Sequence, residues 1–184
     1  LQIATSEATV TAVTQQLQAG SINLAEWQLA MEREIKILHT ASAASARGGW
    51  AQMTQADWGW VGQRVRAQYA YLDRFARQIA SGQQPLNGRA LQRAKMYAQA
   101  SRSTFQEMRR RYTRIYKGAV TEERVLKPNA EHCDGDSNRP GCIELAERGR
   151  VPVGTLPPIG AAQCLTFCLC VFRFFDAEGN PIGE

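Results

Sequence analysis

Cys164-Leu165-Thr166-Phe167-Cys168-Leu169-Cys170, together with Cys133 and Cys142 upstream, gathers all five cysteines of the 184-residue chain into its last third. This asymmetry divides the sequence into a body, residues 1 to 120, and a small cysteine-rich tail, residues 121 to 184. Two thiol clusters separated by a loop are how short segments build a tetrahedral thiolate site, because four soft ligands must converge on one ion from two turns. Cys133, Cys142, Cys164, Cys168 and Cys170 are therefore the candidate metal ligands, and a structural zinc ion is the expected occupant. Two other states fit the same residues: two disulfides with one thiol spare, or buried unliganded thiols. The odd count, and the lack of an apolar segment at the start of the sequence, argue against a secreted disulfide framework. His39 and His132 are the only histidines. His132 adjoins Cys133 and is a reserve ligand, and no Cys/His pair indicates a nucleophile.

Working outward, charge repeats the division. The net charge is +5, but residues 1 to 118 hold 16 Lys and Arg against 7 Asp and Glu, and the remainder holds 6 against 10. Residues 89 to 117 are the most basic stretch, with Glu107 their single acid. Arg102, Arg109, Arg110, Arg111, Arg114 and Lys117 lie there on one expected helix. They form a candidate nucleic-acid-binding face, because a helix with so few local acids presents a positive field to a polyanion. The plainer alternative is a solvated face paired with acids elsewhere. No run reaches the eighteen apolar residues of a membrane span, so no membrane partner is expected.

The body reads as helical. Residues 5 to 19 suggest a short helix stopped by Gly20. Asn23 opens a second helix, with Glu26 in capping-box position, and Leu24, Trp27, Met31, Ile35 and Leu38 recur on one stripe. Gly48-Gly49 breaks it. Thr54 with Asp57 repeats the capping signature for a helix to about residue 81, with Trp58, Val61, Val65, Tyr69, Leu72, Ala76 and Ile79 on its buried face. A further helix is expected to run unbroken from residue 89 to 117. Trp50, Trp58 and Trp60 cluster at a turn, where they suit either core packing or a base-stacking platform; helical spacing favours core. The expected fold class is mainly α: three long helices closing as an antiparallel bundle, plus a small C-terminal α+β module of zinc-knuckle type.

In the tail, residues 143 to 148 read as a helical turn, Val151-Pro152-Val153 as a short extended piece, and residues 169 to 175 as a buried strand. The apolar sequence there is too sparse to fold alone, and a metal would supply the missing stability. Glu122-Glu123 reads as a helix start and Asp134-x-Asp136 as a turn rather than a divalent-ion site. There is no phosphate-binding loop, dinucleotide fingerprint, nucleophile elbow or His-Glu-x-x-His. The expectation is therefore a protein that is not an enzyme.

The tail pattern Glu131-His132-Cys133, Cys142, Leu156-Pro157-Pro158-Ile159-Gly160 and Cys164 to Cys170 resembles the C-terminal cysteine module of tailed-phage minor head proteins, the Mu F-like head-morphogenesis family. Gly48-Gly49-Trp50 and residues 53 to 59 of the body are similar as well. The resemblance places the family's first cysteine pair on Cys133 and Cys142 and its terminal Cys-x-Cys on Cys168 and Cys170. Eight residues separate the first pair here, Leu165-Thr166 stands where the family often has His-Pro, and Leu169 stands where it usually has an arginine. Cys164 would then replace the missing histidine, which keeps four ligands and leaves the choice between Cys168 and Cys170 open. What the resemblance implies is a virion structural protein: a minor head or portal-proximal component, assembled in the host cytoplasm and part of a multi-copy particle. Its partners would be portal or capsid proteins and packaged double-stranded DNA, and its role would lie in capsid assembly and genome packaging or ejection. The alternative from another class is a zinc-containing nucleic-acid-binding accessory protein that is not built into a particle.

Overall fold

The computed structural model describes residues 2–183. In chain order the elements are α1 (Gln2–Gln18), α2 (Leu24–Arg47), α3 (Gln55–Ala80), α4 (Gly88–Gln99), α5 (Ser101–Tyr116), β1 (Thr121–Val125), α6 (Cys142–Glu147), β2 (Val151–Pro152), β3 (Val171–Phe175) and β4 (Pro181–Ile182). Short 3-10 turns occupy Trp50–Gln52 and Leu165–Phe167. The fold is mainly helical, with strands confined to its C-terminal region. The chain forms two compact units: the residues through Ala44 with Trp50–Ser101, and Ser45–Gly49 with the residues from Arg102 onward.

The first unit is all helix, and its helix ends follow the sequence signals. Leu17 carbonyl accepts from the Gly20 amide at 3.1 Å and Gln16 carbonyl from the Ser21 amide at 3.0 Å. That closure requires the left-handed backbone Gly20 adopts, at φ 70°. Asn23 and Glu26 exchange side-chain and backbone bonds of 2.8 and 3.0 Å before α2, and Thr54 and Asp57 form the same reciprocal box before α3. The periodic stripe of α2 becomes core: Trp27, Met31 and Ile35 are buried with Leu72, Phe75 and Ala76 of α3. Trp27 meets Phe75 edge-on at 5.3 Å, and its indole N–H donates to the Thr14 hydroxyl at 3.0 Å, so the one polar atom of this large side chain is satisfied. The tryptophan cluster is only partly core: Trp50 is 57% exposed and stacks on Trp58 at 5.6 Å.

The expected unbroken helix over residues 89 to 117 is two helices. Ala100 is a turn between α4 and α5, and the buried Ser101 hydroxyl donates to the Ala98 carbonyl at 2.8 Å. A hydroxyl that competes for the helix's own acceptor at such a junction favours a break over a continued ladder, and apolar spacing does not register it. The pattern of three long helices therefore stops at two, α2 and α3, with the third in pieces. The units divide at this break: α4 belongs to the first and α5 to the second, so the second unit begins ahead of the 120/121 composition boundary.

In the second unit, a four-stranded antiparallel sheet in the order β2-β1-β3-β4 accompanies α5 and α6. β1 pairs with β3 from Thr121↔Phe175 to Val125↔Val171. β3 is the apolar run expected as a strand. β1 corrects the reading of Glu122-Glu123 as a helix start: its alternation puts Glu122 and Arg124 on the buried face and Glu123 on the other, where it meets Arg173 at 3.0 Å. Glu122 is fully buried, and its carboxylate pairs with Arg110 of α5 at 2.8 Å. It also accepts from the Gly154 and Leu156 amides at 3.1 and 3.2 Å. Burial pushes the Glu122 carboxyl above its ordinary value, with the Arg110 charge and these amides pulling against it.

Candidate metal centre

Three short pieces bring the cysteines together. Cys133 and Cys142 flank a tight loop bridged at Gly135 and Pro140, in which Asp136 accepts from the Asn138 and Arg139 amides at 2.8 Å. Of the Asp134-x-Asp136 pair, Asp136 thus serves the turn, as expected. The loop closes only because position 141 has no side chain: a Cβ on Gly141 would lie 2.1 Å from the Asp134 carbonyl carbon. Cys142 opens α6, Cys164 and Cys168 flank the Leu165–Phe167 turn, and Cys170 leads into β3.

All five cysteines are free thiols, so neither pair forms a disulfide. Their sulfurs form two sets of three, Cys133–Cys142–Cys164 and Cys142–Cys168–Cys170, each with its atoms within 4.8 Å of one another. Cys142 belongs to both, with its sulfur 3.3 Å from Cys164 and 3.6 Å from Cys168. A tetrahedral ion with metal–sulfur bonds of about 2.3 Å needs sulfur–sulfur edges of roughly 3.8 Å, so these donors fit a metal ion with little movement. The cluster is a potential cysteine-based metal site.

Each set carries a sign of ligand character. The Cys133 sulfur accepts from the Cys142 amide at 3.3 Å, a bond that favours thiolate. Beside the second set, His132 approaches one of its sulfurs, that of Cys170, without lying within 4.8 Å of all three. Its Nδ1 is 3.9 Å from the Cys170 sulfur, while its Nε2 lies 3.0 Å from the Lys127 carbonyl. A carbonyl on one ring nitrogen holds the proton there and turns the other's lone pair inward, which is the usual support of a ligating imidazole.

Protons within the cluster are unevenly held. Bonding from Cys170 draws the Cys168 thiol down to about 4, against burial. The same contact and burial push Cys170 up. Burial also raises Cys142 and Cys164. At Cys133 burial raises the thiol, but the Cys142 and Cys164 amides outweigh it and the net direction is down. Metal-free, the group is a shared proton network; a dication would replace those protons outright.

The basic residues of α5 do not act as one face. Arg110 is buried: besides Glu122 it reaches Glu107 at 3.1 Å and the Leu156 carbonyl at 3.0 Å, with its guanidinium 3.9 Å from the Phe172 ring. It is removed from the candidate nucleic-acid set, because its charge is consumed inside the unit. Arg102, Arg109 and Arg111 are half-buried, and Arg109 lies over Phe174 at 5.7 Å. Arg114 and Lys117 are exposed. Glu122 and Arg124 are the residues whose part in this unit the sequence reading missed. Residues 122 to 124 are charged without interruption, so nothing in the sequence separated the buried Glu122 and Arg124 from the outward Glu123.

No helix among the described residues is long and apolar enough to cross a membrane. No family model, curated protein or solved structure matches the chain.

Proposed function

We propose that the chain is a non-enzymatic zinc-stapled protein that acts as a nucleic-acid-binding accessory. The observation that carries it is the convergence of five thiols about Cys142. Zinc suits the donors because soft thiolates, with or without one imidazole, in tetrahedral array select it. When bound, it would cross-link the 133–142 loop to the 164–170 segment. Cys133, Cys142, Cys164 and Cys168 would hold it as four thiolates, or Cys142, Cys168, Cys170 and His132 as three with an imidazole. Four protein donors close the coordination shell, so the ion serves shape rather than turnover. The contact with nucleic acid would involve Arg114 and Lys117, with Arg102, Arg109 and Arg111 at its margin. Affinity for duplex DNA should then fall steeply with salt and vary little with sequence, because phosphate neutralisation releases counterions. Salt-insensitive or undetectable binding would reject the nucleic-acid role.

A second and narrower reading is favoured by the tail residues Cys133, Cys142, Leu156 to Gly160 and Cys164 to Cys170: a minor head or portal-proximal protein of a tailed phage, contributing to head morphogenesis. It would place the chain in purified particles at low, fixed copy number. Quantitative mass spectrometry of nuclease-treated particles separates the two readings, since the accessory role requires its absence from them.

A further inference from the structure

The buried face of β1 holds two charges of opposite sign, and they do not neutralise each other. Glu122 is committed to Arg110. Arg124 is 2% exposed, yet among the described residues no carboxylate lies within ion-pair distance of it. Its Nη2 donates to the Pro157 carbonyl at 2.6 Å, its guanidinium lies 5.3 Å from the Phe172 ring, and its Nη1 points at the Cys168 sulfur at 3.8 Å. A guanidinium cannot shed its proton, so taking it out of water is strongly unfavourable unless negative charge stands beside it. A carbonyl and a ring face supply only dipoles. With Glu122 held by Arg110, the group the guanidinium itself contacts that can carry a full negative charge is the Cys168 sulfur of the thiol cluster.

We propose that Arg124 is the counter-ion of an anionic metal–thiolate centre anchored on Cys142 and Cys168. This rests on the zinc reading above, but not on a choice between its two ligand sets, because Cys142 and Cys168 belong to both. A dication with three thiolates and an imidazole carries one net negative charge, and with four thiolates it carries two. Either leaves an anion in a largely dry site, and Arg124 is the cation beside it. Its N–H···S bond also fixes the side-chain direction of Cys168, so Arg124 is a positioning residue acting through a ligand.

The test uses the full chain loaded with zinc, and in parallel with cobalt(II), whose sulfur-to-metal charge-transfer absorption reports thiolate ligation. Zinc affinity is measured by competition with a chromophoric chelator for the wild type, Arg124→Met and Arg124→Lys. We expect Arg124→Met to lose about 10–100-fold in metal affinity, the usual scale for losing a partner of a ligand, with Arg124→Lys retaining more than Arg124→Met. The cobalt charge-transfer band should shift in Arg124→Met, because a sulfur relieved of its hydrogen bond is a stronger donor. Equal affinities and an unmoved band in all three proteins would overturn the counter-ion role while leaving the staple standing. If Arg124→Met does not fold, Arg124→Lys decides through the same band and affinity. No charge-transfer band in the wild type would reject the zinc reading itself, and the inference with it.

Discussion

The two compact units solve the same problem with different materials. In the first, Trp27, Met31, Ile35, Leu72 and Phe75 are buried together and the polar atoms among them are few. In the second, Phe172 and Phe174 share their interior with Glu122, Arg110, Arg124 and the thiol cluster. Burying apolar surface stabilises by roughly 25 cal/mol per Å² with no demand on geometry. Buried charges and thiols contribute only when partners are placed to within a few tenths of an ångström, and are otherwise costly. The first unit therefore gains its stability from amount, and the second from arrangement. An element built on arrangement is the one that loading and unloading an ion can control.

The sharpest way to break that contrast is to withdraw the metal. Loaded protein treated with a strong zinc chelator should lose on the order of 10 kcal/mol of apparent stability from the second unit. The first unit should lose none. Hydrogen exchange read by mass spectrometry resolves them: β1 and β3 amides should exchange fast in the chelated protein while α2 and α3 stay protected. Persistent protection of β1 and β3 without metal would mean that the ion pairs and phenylalanines suffice, and that the staple is not what holds the fold.

A smaller effect asks whether the buried ions stabilise or merely specify. Glu122→Gln leaves Arg110 buried without its main counter-charge, and should destabilise the second unit by about 3–5 kcal/mol in denaturant unfolding. Replacing both residues together, Arg110→Met with Glu122→Leu, should recover most of that loss. If Glu122→Gln were instead silent, Glu107 and the Leu156 carbonyl would be enough for Arg110, and the comparison between the units would lose one of its two supports.

What was legible in the sequence follows the same line. Apolar recurrence made α2, α3 and β3 visible, and the exchanged bonds at Asn23–Glu26 and Thr54–Asp57 made two helix starts visible, because both signals lie within a few neighbouring residues. The gathering of five thiols was readable from their spacing. Their partition about Cys142 was not, since it depends on how the 133–142 loop closes against the Leu165–Phe167 turn. β1 was hidden because its core positions carry Glu122 and Arg124, whose partners Arg110 and Cys168 are remote in sequence. A charge is read as surface until its counter-charge is found. The α4–α5 break was hidden for a local reason, a single hydroxyl at Ser101.

The polar side chains buried in the first unit include Thr14, Asp57 and His39, and His39 gives the smallest predicted effect. His39 lies buried in α2, where burial first, and the Arg64 charge second, lower its value from 6.5 to about 4. The imidazole is therefore neutral in the folded protein at pH values where the unfolded chain would bind a proton. Its contribution is fully present above 6.5, is lost as pH falls from there, and reaches its limit near 4, where the folded form protonates too. At 1.36 kcal/mol per unit, the loss across that window is about 3 kcal/mol. Denaturant unfolding of the first unit, followed by tryptophan fluorescence from pH 7 to 4, should show this slope, and His39→Gln should flatten it. A slope that survives the substitution would assign the acid sensitivity to carboxylates instead. The first unit would then owe more to paired charge than its apolar core suggests, and the distance between the two designs would narrow.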